Sequence, residues 1–286
     1  MFYNIIAFSI AAAGAFALSP LCFPISRLIG AIDVPTDSRR MHRKPVPRIG
    51  GLAVLVGFLF SSPIFDNSVA LLSGSLVIVS AGIIDDIYRI DAYRKLIYQA
   101  AAAAVAVIFG ARAPIGNSFL SILFSFLWLV LLPNAFNLID GLDGLCVRVA
   151  LFSSLALFLL GNSPMAIALA GALLGFLPFN LRPAKMFLGD TGALFVGFAL
   201  GVISLDTLSK MTLEKGFLPI ALIFALPLCD TAYAFLRRFL KGKNPFSPDR
   251  EHFHHKLIDR GFSHREASLL LSLVALALCS AALAVY

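Results

Sequence analysis

The chain is built of long apolar runs separated by short polar gaps, and ten of the runs are long enough to form helices. They cover roughly 2–26, 49–65, 68–86, 95–111, 115–133, 146–161, 164–180, 191–206, 215–236 and 266–286. The apolar residues are continuous rather than alternating in twos, which predicts helices and not the strands of a barrel. The fifth run carries Trp128 and closes near Pro133, and Gly161-Asn162-Ser163-Pro164 reads as a turn between the sixth and seventh. No internal repeat divides the chain, so residues 1–286 are read as one polytopic domain.

Composition decides what surrounds these helices. Of the 286 residues, 59% are hydrophobic and 14% are charged, and the mean hydropathy is +0.89. A soluble domain carries about 25% charged residues. The expectation is an all-α integral membrane protein with about ten transmembrane helices. The first run has no basic segment before it and no clear cleavage site after it, so it is read as a retained span. Cys22, Cys146, Cys229 and Cys279 lie far apart in apolar stretches, with no CxxC pair, and are read as buried small hydrophobes.

Charge orients the chain. With ten spans, the gaps fall alternately on two sides. One side collects 27–48, 87–95, 134–148, 181–190 and 237–265 and holds twenty of the 23 Lys and Arg; the other holds Arg112, Lys210 and Lys215. Basic loops stay in the cytoplasm, which predicts both termini outside. The net charge of +7 is then mostly topological. A basic cytoplasmic face also attracts anionic headgroups and phosphorylated substrates.

The acidic, histidine and asparagine clusters fall on that same side, and the outer loops hold only Asp66, Asp206 and Glu214 as acids. A transporter would place its site near the midplane, whereas these clusters sit at helix ends. The central one is Asn134-Ala135-Phe136-Asn137-Leu138-Ile139-Asp140-Gly141-Leu142-Asp143-Gly144-Leu145. On a helix Asn137, Asp140 and Asp143 would share a face, but Gly141 and Gly144 predict a break there and close approach to a ligand. Inward-facing carboxylates at a membrane-helix end are candidate ligands for a metal or a polar substrate; the plainer alternative is a charged turn.

Five further stretches carry candidate chemistry. The adjacent carboxylates of Asp85 and Asp86 repel unless a cation sits between them, which suits a magnesium site or a base beside a phosphate. Phe187-Leu188-Gly189-Asp190-Thr191-Gly192 offers one carboxylate at a helix start, either a ligand or only a cap. Phe187 could stack on a base or merely anchor at the interface. The 33–48 loop, rich in Arg and Lys and ending in Arg48 before Gly50-Gly51, could grip phosphate or only retain the loop inside. His252, His254 and His255 stand among basic residues and suit oxyanion binding better than zinc. Asp230, inside the ninth run, is expected to face inward and pair with Arg237 or Arg238.

Taken in order, Asp85-Asp86-Ile87-Tyr88-Arg89-Ile90-Asp91, the 134–144 run, Phe187-Leu188-Gly189-Asp190-Thr191-Gly192 and His252-Phe253-His254-His255 resemble the polyprenyl-phosphate N-acetylhexosamine-1-phosphate transferases. The resemblance covers almost the whole chain. The His-x-His-His form and Asp91 look like the undecaprenyl-phosphate N-acetylglucosaminyl-1-phosphate transferase branch, which starts O-antigen, lipopolysaccharide, teichoic acid and related cell-wall glycans. The peptidoglycan branch, phospho-N-acetylmuramoyl-pentapeptide transferase, usually has lysine at the position of Asp91. The resemblance implies transfer of a sugar-1-phosphate, with GlcNAc the favoured sugar, from a UDP-N-acetylhexosamine to undecaprenyl phosphate, with release of UMP. It implies Mg²⁺, with Mn²⁺ as a substitute, a multi-pass protein of the prokaryotic inner membrane whose active site faces the cytoplasm, lipid contact and a homodimer. No nucleic-acid partner is expected.

By the same resemblance Asp190 with Asn137 would hold Mg²⁺, and Asp85 assisted by Asp86 would deprotonate or orient the lipid phosphate, or bind the metal instead. Asp143 and Phe187 would engage uracil. His252, His254, His255 and Arg48 would hold the diphosphate, and Asp140 would orient the site. Two departures stand out: Cys146-Val147-Arg148 where small residues and glycine are usual, and Ala193 where serine is common. Arg148 would alter helix packing or add a phosphate contact. The rival readings are a peptidoglycan-type transferase, a polytopic transporter and an inactive scaffold.

Overall fold

The computed structural model describes residues 2–34, 45–65, 68–242 and 252–286. Each of the ten apolar runs is helical. The helices are α1 (Phe2–Ile29), α2 (Gly50–Phe60), α3 (Val69–Tyr88), α4 (Ala92–Ile108), α5 (Ser118–Ile139) and α6 (Leu145–Gly161). After them come α7 (Pro164–Asn180), α8 (Gly189–Ser209), α9 (Leu213–Ile223), α10 (Ala225–Leu240), α11 (Phe253–Asp259) and α12 (His264–Ala284). A two-residue antiparallel ladder, β1 (Ile32–Asp33) with β2 (Val46–Pro47), pairs Ile32 with Pro47 and Asp33 with Val46. Among the described residues, five helices are long and apolar enough to cross a membrane, or six if α9 and α10 count as one bent span.

Helix α8 is the axis of the bundle. It is buried along nearly its whole length and packs on α2, α3, α5 and α6. Lipid is as apolar as a leucine side chain, so helices in a membrane associate by close packing of small residues rather than by hydrophobic driving force. The contacts follow that rule. Ala7, Ala11, Gly14 and Ala15 form a buried small-residue face on α1. Gly171 and Gly175 of α7 receive the α1 backbone so closely that a Cβ at either would overlap the carbonyl of Phe8 or Ala12. Large side chains such as Leu28, Leu76, Phe119, Leu159 and Leu240 point outward and are exposed, as a lipid-facing surface requires.

Three sequence expectations are corrected. The fifth run does not stop near Pro133: α5 continues through that buried proline to Ile139, so Asn134 and Asn137 lie on its last turns. The ninth run is not one helix, because α9 and α10 meet at 71° at Phe224. Pro227 lacks an N–H and its ring clashes with the carbonyl four residues back, which falls on Ile223 at the end of α9. Cys229 is exposed, unlike the buried Cys22, Cys146 and Cys279.

Gly175→Val should force α1 off α7 and lower stability by about 1–3 kcal/mol, the usual cost of overpacking. Gly116→Ala, where an added Cβ meets nothing within 4 Å, should leave melting in detergent unchanged. Equal melting temperatures for the two variants would contradict this packing.

Candidate active site

The site begins where the 45–51 segment is stitched to the start of α8. Phe187 N–H donates to Pro47 O at 2.9 Å, Gly50 N–H to Phe187 O at 3.0 Å and Gly51 N–H to Leu188 O at 2.8 Å. Gly189 adopts φ +74° against the Arg48 carbonyl, where a Cβ would have no room. Gly51 lies on Gly192, so that α2 and α8 touch backbone to backbone. These contacts place Arg48 beside Asp190.

Asp86, at the end of α3, receives the N-terminus of α8. Its carboxylate accepts Asp190 N–H at 3.0 Å, Thr191 N–H at 2.9 Å and Thr191 Oγ1–H at 2.6 Å. A helix N-terminus presents orphan donors and partial positive charge, and this aspartate satisfies them from another helix. Asp85 accepts Ile90 N–H at 2.8 Å, made possible by the left-handed turn at Arg89 (φ 54°). Lys95 of α4 forms an ion pair with Asp85 and donates to Asp190 Oδ1 at 2.9 Å. Arg48 donates to Asp190 Oδ2 at 2.9 Å and lies 3.6 Å from Asp86. Asn137 donates to the same Asp190 Oδ1 as Lys95. Three buried carboxylates and two partly exposed cations therefore form one cluster, and the carboxylates hold the Arg48 guanidinium charged although burial alone would lower its pKa.

Beyond Asn137 the chain breaks. Asp140 is the C-cap of α5 and Gly144, at φ 72°, starts α6. Asp143 accepts Ala184 N–H at 3.1 Å and lies 3.9 Å from Arg182. Buried Asn180 ties this loop to the next, accepting Gly144 N–H at 3.1 Å and donating to Met186 O at 3.0 Å. Arg148 donates to Gly144 O at 3.0 Å and to Ser268 Oγ, and Ser268 Oγ–H donates to Asp143 O at 3.0 Å. Arg148 makes a packing contact, bracing the 143–144 backbone against α12.

The histidines form a second cluster. His254 is buried against Gly141, where a Cβ would overlap its imidazole. Its ring lies 4.2 Å from that of His255 and 5.8 Å from that of His252 between centroids. Asp230 meets His252 Nδ1 at 2.8 Å and accepts Phe253 N–H at 2.8 Å, which replaces the Arg237 or Arg238 pairing expected from sequence. Arg237 follows two turns later along α10, about 10 Å away in rise, whereas α11 sets its N-terminus directly on Asp230.

The structure thus gathers Asp85, Asp86, Asp190, Asn137 and Arg48 in one cluster and His252, His254 and His255 in another, with the Asp140–Asp143 loop against the second. Phe187 joins the first through its backbone. Arg39, Arg40, Arg43, Lys44, Asp66 and Arg250 lie outside the described residues. Among the described residues no three His, Cys, Asp or Glu side chains converge as a metal-ligand set. Asp85, Asp190 and the Asn137 carboxamide come nearest: they supply the hard oxygen donors that Mg²⁺ takes, and Lys95 sits between the two carboxylates where a cation would compete with it. Sequence reasoning passed over Lys95, Thr191 and Asn180. The signal for Lys95 was an ammonium inside the first turn of an apolar helix, but Arg94 beside it looks alike and faces solvent, paired with Asp91 at 3.1 Å.

Glycosyl transferase family 4 matches residues 68–208, the stretch containing Asp85, Asp86, Asn137, Asp140, Asp143 and Asp190. A Bacillus subtilis (strain 168) protein named "probable undecaprenyl-phosphate N-acetylglucosaminyl 1-phosphate transferase" is 34% identical, over 94% of this chain and 81% of its own length. This chain belongs to glycosyl transferase family 4. A decaprenyl-phosphate N-acetylglucosaminephosphotransferase of Mycolicibacterium smegmatis is similar at 33% identity, over 85% of this chain and 72% of its own length. The undecaprenyl-phosphate alpha-N-acetylglucosaminyl 1-phosphate transferase of Escherichia coli (strain K12) is 32% identical, over 90% and 77% respectively. The histidine segment and Arg48 lie outside the matched family region, so in this family 4 chain their place at the site rests on geometry.

Lys95→Met should leave Asp85 and Asp190 facing each other with one cation fewer. Breaking a fully buried pair costs about 3–5 kcal/mol; Lys95 is 22% exposed, so a loss nearer about 2 kcal/mol is expected in thermal melting. An unchanged melting temperature would contradict a stabilising role for the pair.

His254 sets a pH dependence. Burial first, and the neighbouring His255 second, lower its pKa from 6.5 to about 3. Between those values the unfolded chain binds the proton and the folded one does not, so the contribution is full above the unfolded pKa and is lost as pH falls. Stability should drop by about 2 kcal/mol between roughly pH 7.5 and pH 5, and His254→Gln should flatten that slope in melting curves taken across the range.

Proposed function

We propose that this protein transfers GlcNAc-1-phosphate from UDP-GlcNAc to undecaprenyl phosphate and releases UMP, as the first membrane step of a cell-envelope glycan. An oxygen of the lipid phosphate attacks the sugar-bearing phosphorus of the donor. A new P–O bond forms, the bond to the bridging oxygen breaks, and UMP leaves with that oxygen. The observation that carries the reading is the meeting of Asp85, Asp86 and Asp190 with Arg48 and Lys95 at one end of the bundle, in a chain whose relatives are named for this chemistry.

Phosphoryl transfer asks the protein mainly for positioning and charge neutralisation. Mg²⁺, when bound, would neutralise the diphosphate, and Asp190 with the Asn137 carboxamide, turned to present its oxygen, would hold it. Lys95 and Arg48 keep the aspartates apart and in place before the substrate arrives. Asp85, which accepts the Ile90 amide and pairs with Lys95, is the carboxylate positioned to take a proton from, or orient, the lipid phosphate. Asp86 acts on α8 and so on Asp190. Asp140 orients the loop, Asp143 and Phe187 face the uracil, and His252, His254 and His255 meet the diphosphate. The protein is placed in the bacterial inner membrane with ten spans, both termini outside and this face in the cytoplasm, supported by the Lys and Arg asymmetry of the loops.

Purified protein in detergent, given undecaprenyl phosphate and UDP-GlcNAc, should release UMP with Mg²⁺ and not with EDTA. Asp190→Asn should reduce the rate by at least about 100-fold, the scale expected for loss of one charge-stabilising group. Parallel reactions with UDP-GalNAc and UDP-MurNAc-pentapeptide name the sugar; release from none of the three by folded protein would sink the reading.

A further inference from the structure

Asp230 is almost completely buried, at 1% exposure, and sits outside the carboxylate cluster. Both of its oxygens are used on one short stretch of chain. Oδ2 meets His252 Nδ1 and Oδ1 accepts the Phe253 amide, each at 2.8 Å. Phe253 is the first residue of α11 and His252 its N-cap, in extended backbone at φ −66°, ψ 160°. One carboxylate therefore fixes the start of α11 and the imidazole that precedes it, coming from a helix more than twenty residues earlier in the chain.

The consequence for His252 is chemical. A carboxylate only accepts hydrogen bonds, so Nδ1 carries a proton; a phosphoryl oxygen also only accepts, so the ring meets it through Nε2–H as an imidazolium whose charge Asp230 balances. A second partner that fixes ring orientation and tautomer is the usual device for a working histidine. The His252 ring runs parallel to that of His254, at 5°, and His254 packs on Gly141 of the Asp140–Asp143 loop. A continuous set of contacts joins Asp230 on α10 to that loop.

We propose that Asp230 is a positioning residue for the donor: it clamps His252 and the first turn of α11 so that His252 Nε2 meets a phosphoryl oxygen of the nucleotide-sugar diphosphate. This rests on the transferase reading above. Asp230 touches no substrate itself. Its effect runs through His252, which separates it from Asp190, whose carboxylate is held by Arg48, Lys95 and Asn137.

The test uses the full-length protein in detergent, UMP release, and direct titration with UDP-GlcNAc in the absence of acceptor. Asp230→Asn keeps the shape and one acceptor but loses the charge. It should raise the donor KM and Kd by about 10–100-fold, the range found when an outer partner of a ligating group is removed. The KM for undecaprenyl phosphate should stay within about twofold. His252→Asn should lose at least as much, and adding Asp230→Asn to it should cost nothing further, because coupled residues are not additive. Losses that add in the double variant, or a lower active fraction with both KM values unchanged, would overturn the inference in favour of a packing role. If Asp230→Asn does not fold, Asp230→Ser replaces it with the same expected order. Failure of both to fold while His252→Asn remains active also overturns it. An inactive wild type would remove the transferase reading and this inference together, whereas an active wild type with Asp230→Asn unchanged removes only this inference.

Discussion

Three aspartates at the ends of apolar helices impose the main constraint on this structure. Carboxylates held together in a poorly solvated place repel, and each costs several kcal/mol to bury unless it is paired and hydrogen-bonded. The structure meets this with partners from four separate segments. Asp86 is given to the N-terminus of α8, Asp85 to Lys95 and the Ile90 amide, and Asp190 to Arg48, Lys95 and Asn137. No single helix could supply all of these. The cluster therefore exists only when α3, α4, α5, α8 and the segment before α2 are docked together.

Helix packing makes that docking possible. Polar partners must approach within about 3 Å, and helices carrying large side chains stand 8–10 Å apart between axes. At the polar end the backbones themselves come together: Gly51 lies on Gly192, and Gly82 lies so close to Thr191 that an added Cβ would sit 2.7 Å from its nitrogen. Small residues in this chain thus serve two ends. Along α1 and α7 they give tight association in lipid, and near Asp86 and Asp190 they bring the α8 N-terminus within reach of α3.

The two polar clusters are built differently. The carboxylate cluster is stabilised by opposite charge, and a cation entering it must displace Lys95 or Arg48 from the aspartates. The histidine cluster is buried around His254 and anchored by Asp230, which meets His252 Nδ1 and the Phe253 amide, with His254 held neutral by its surroundings. The Asp140–Asp143 loop lies between, braced by Asn180 on one side and by Arg148 and Ser268 on the other.

Sequence alone determined the helical class, the positions of the ten apolar runs, the break at Gly141–Gly144 and the identity of most polar residues near the site. Each of these follows from local properties: continuous hydrophobicity, paired glycines where an apolar run is interrupted, and charge in runs otherwise free of it. Tertiary structure decided what those properties could not. The 71° turn at Phe224 depends on how Pro227 docks with α9, and the persistence of α5 through Pro133 depends on α8 packing around it. Lys95 and Arg94 are adjacent and chemically alike, yet one pairs with Asp85 and Asp190 and the other faces solvent, since a helix turns about 100° per residue. Asp230 acquired a histidine rather than an arginine for the same reason: a buried carboxylate takes the donors that folding brings to it, and α11 reaches it from across the chain.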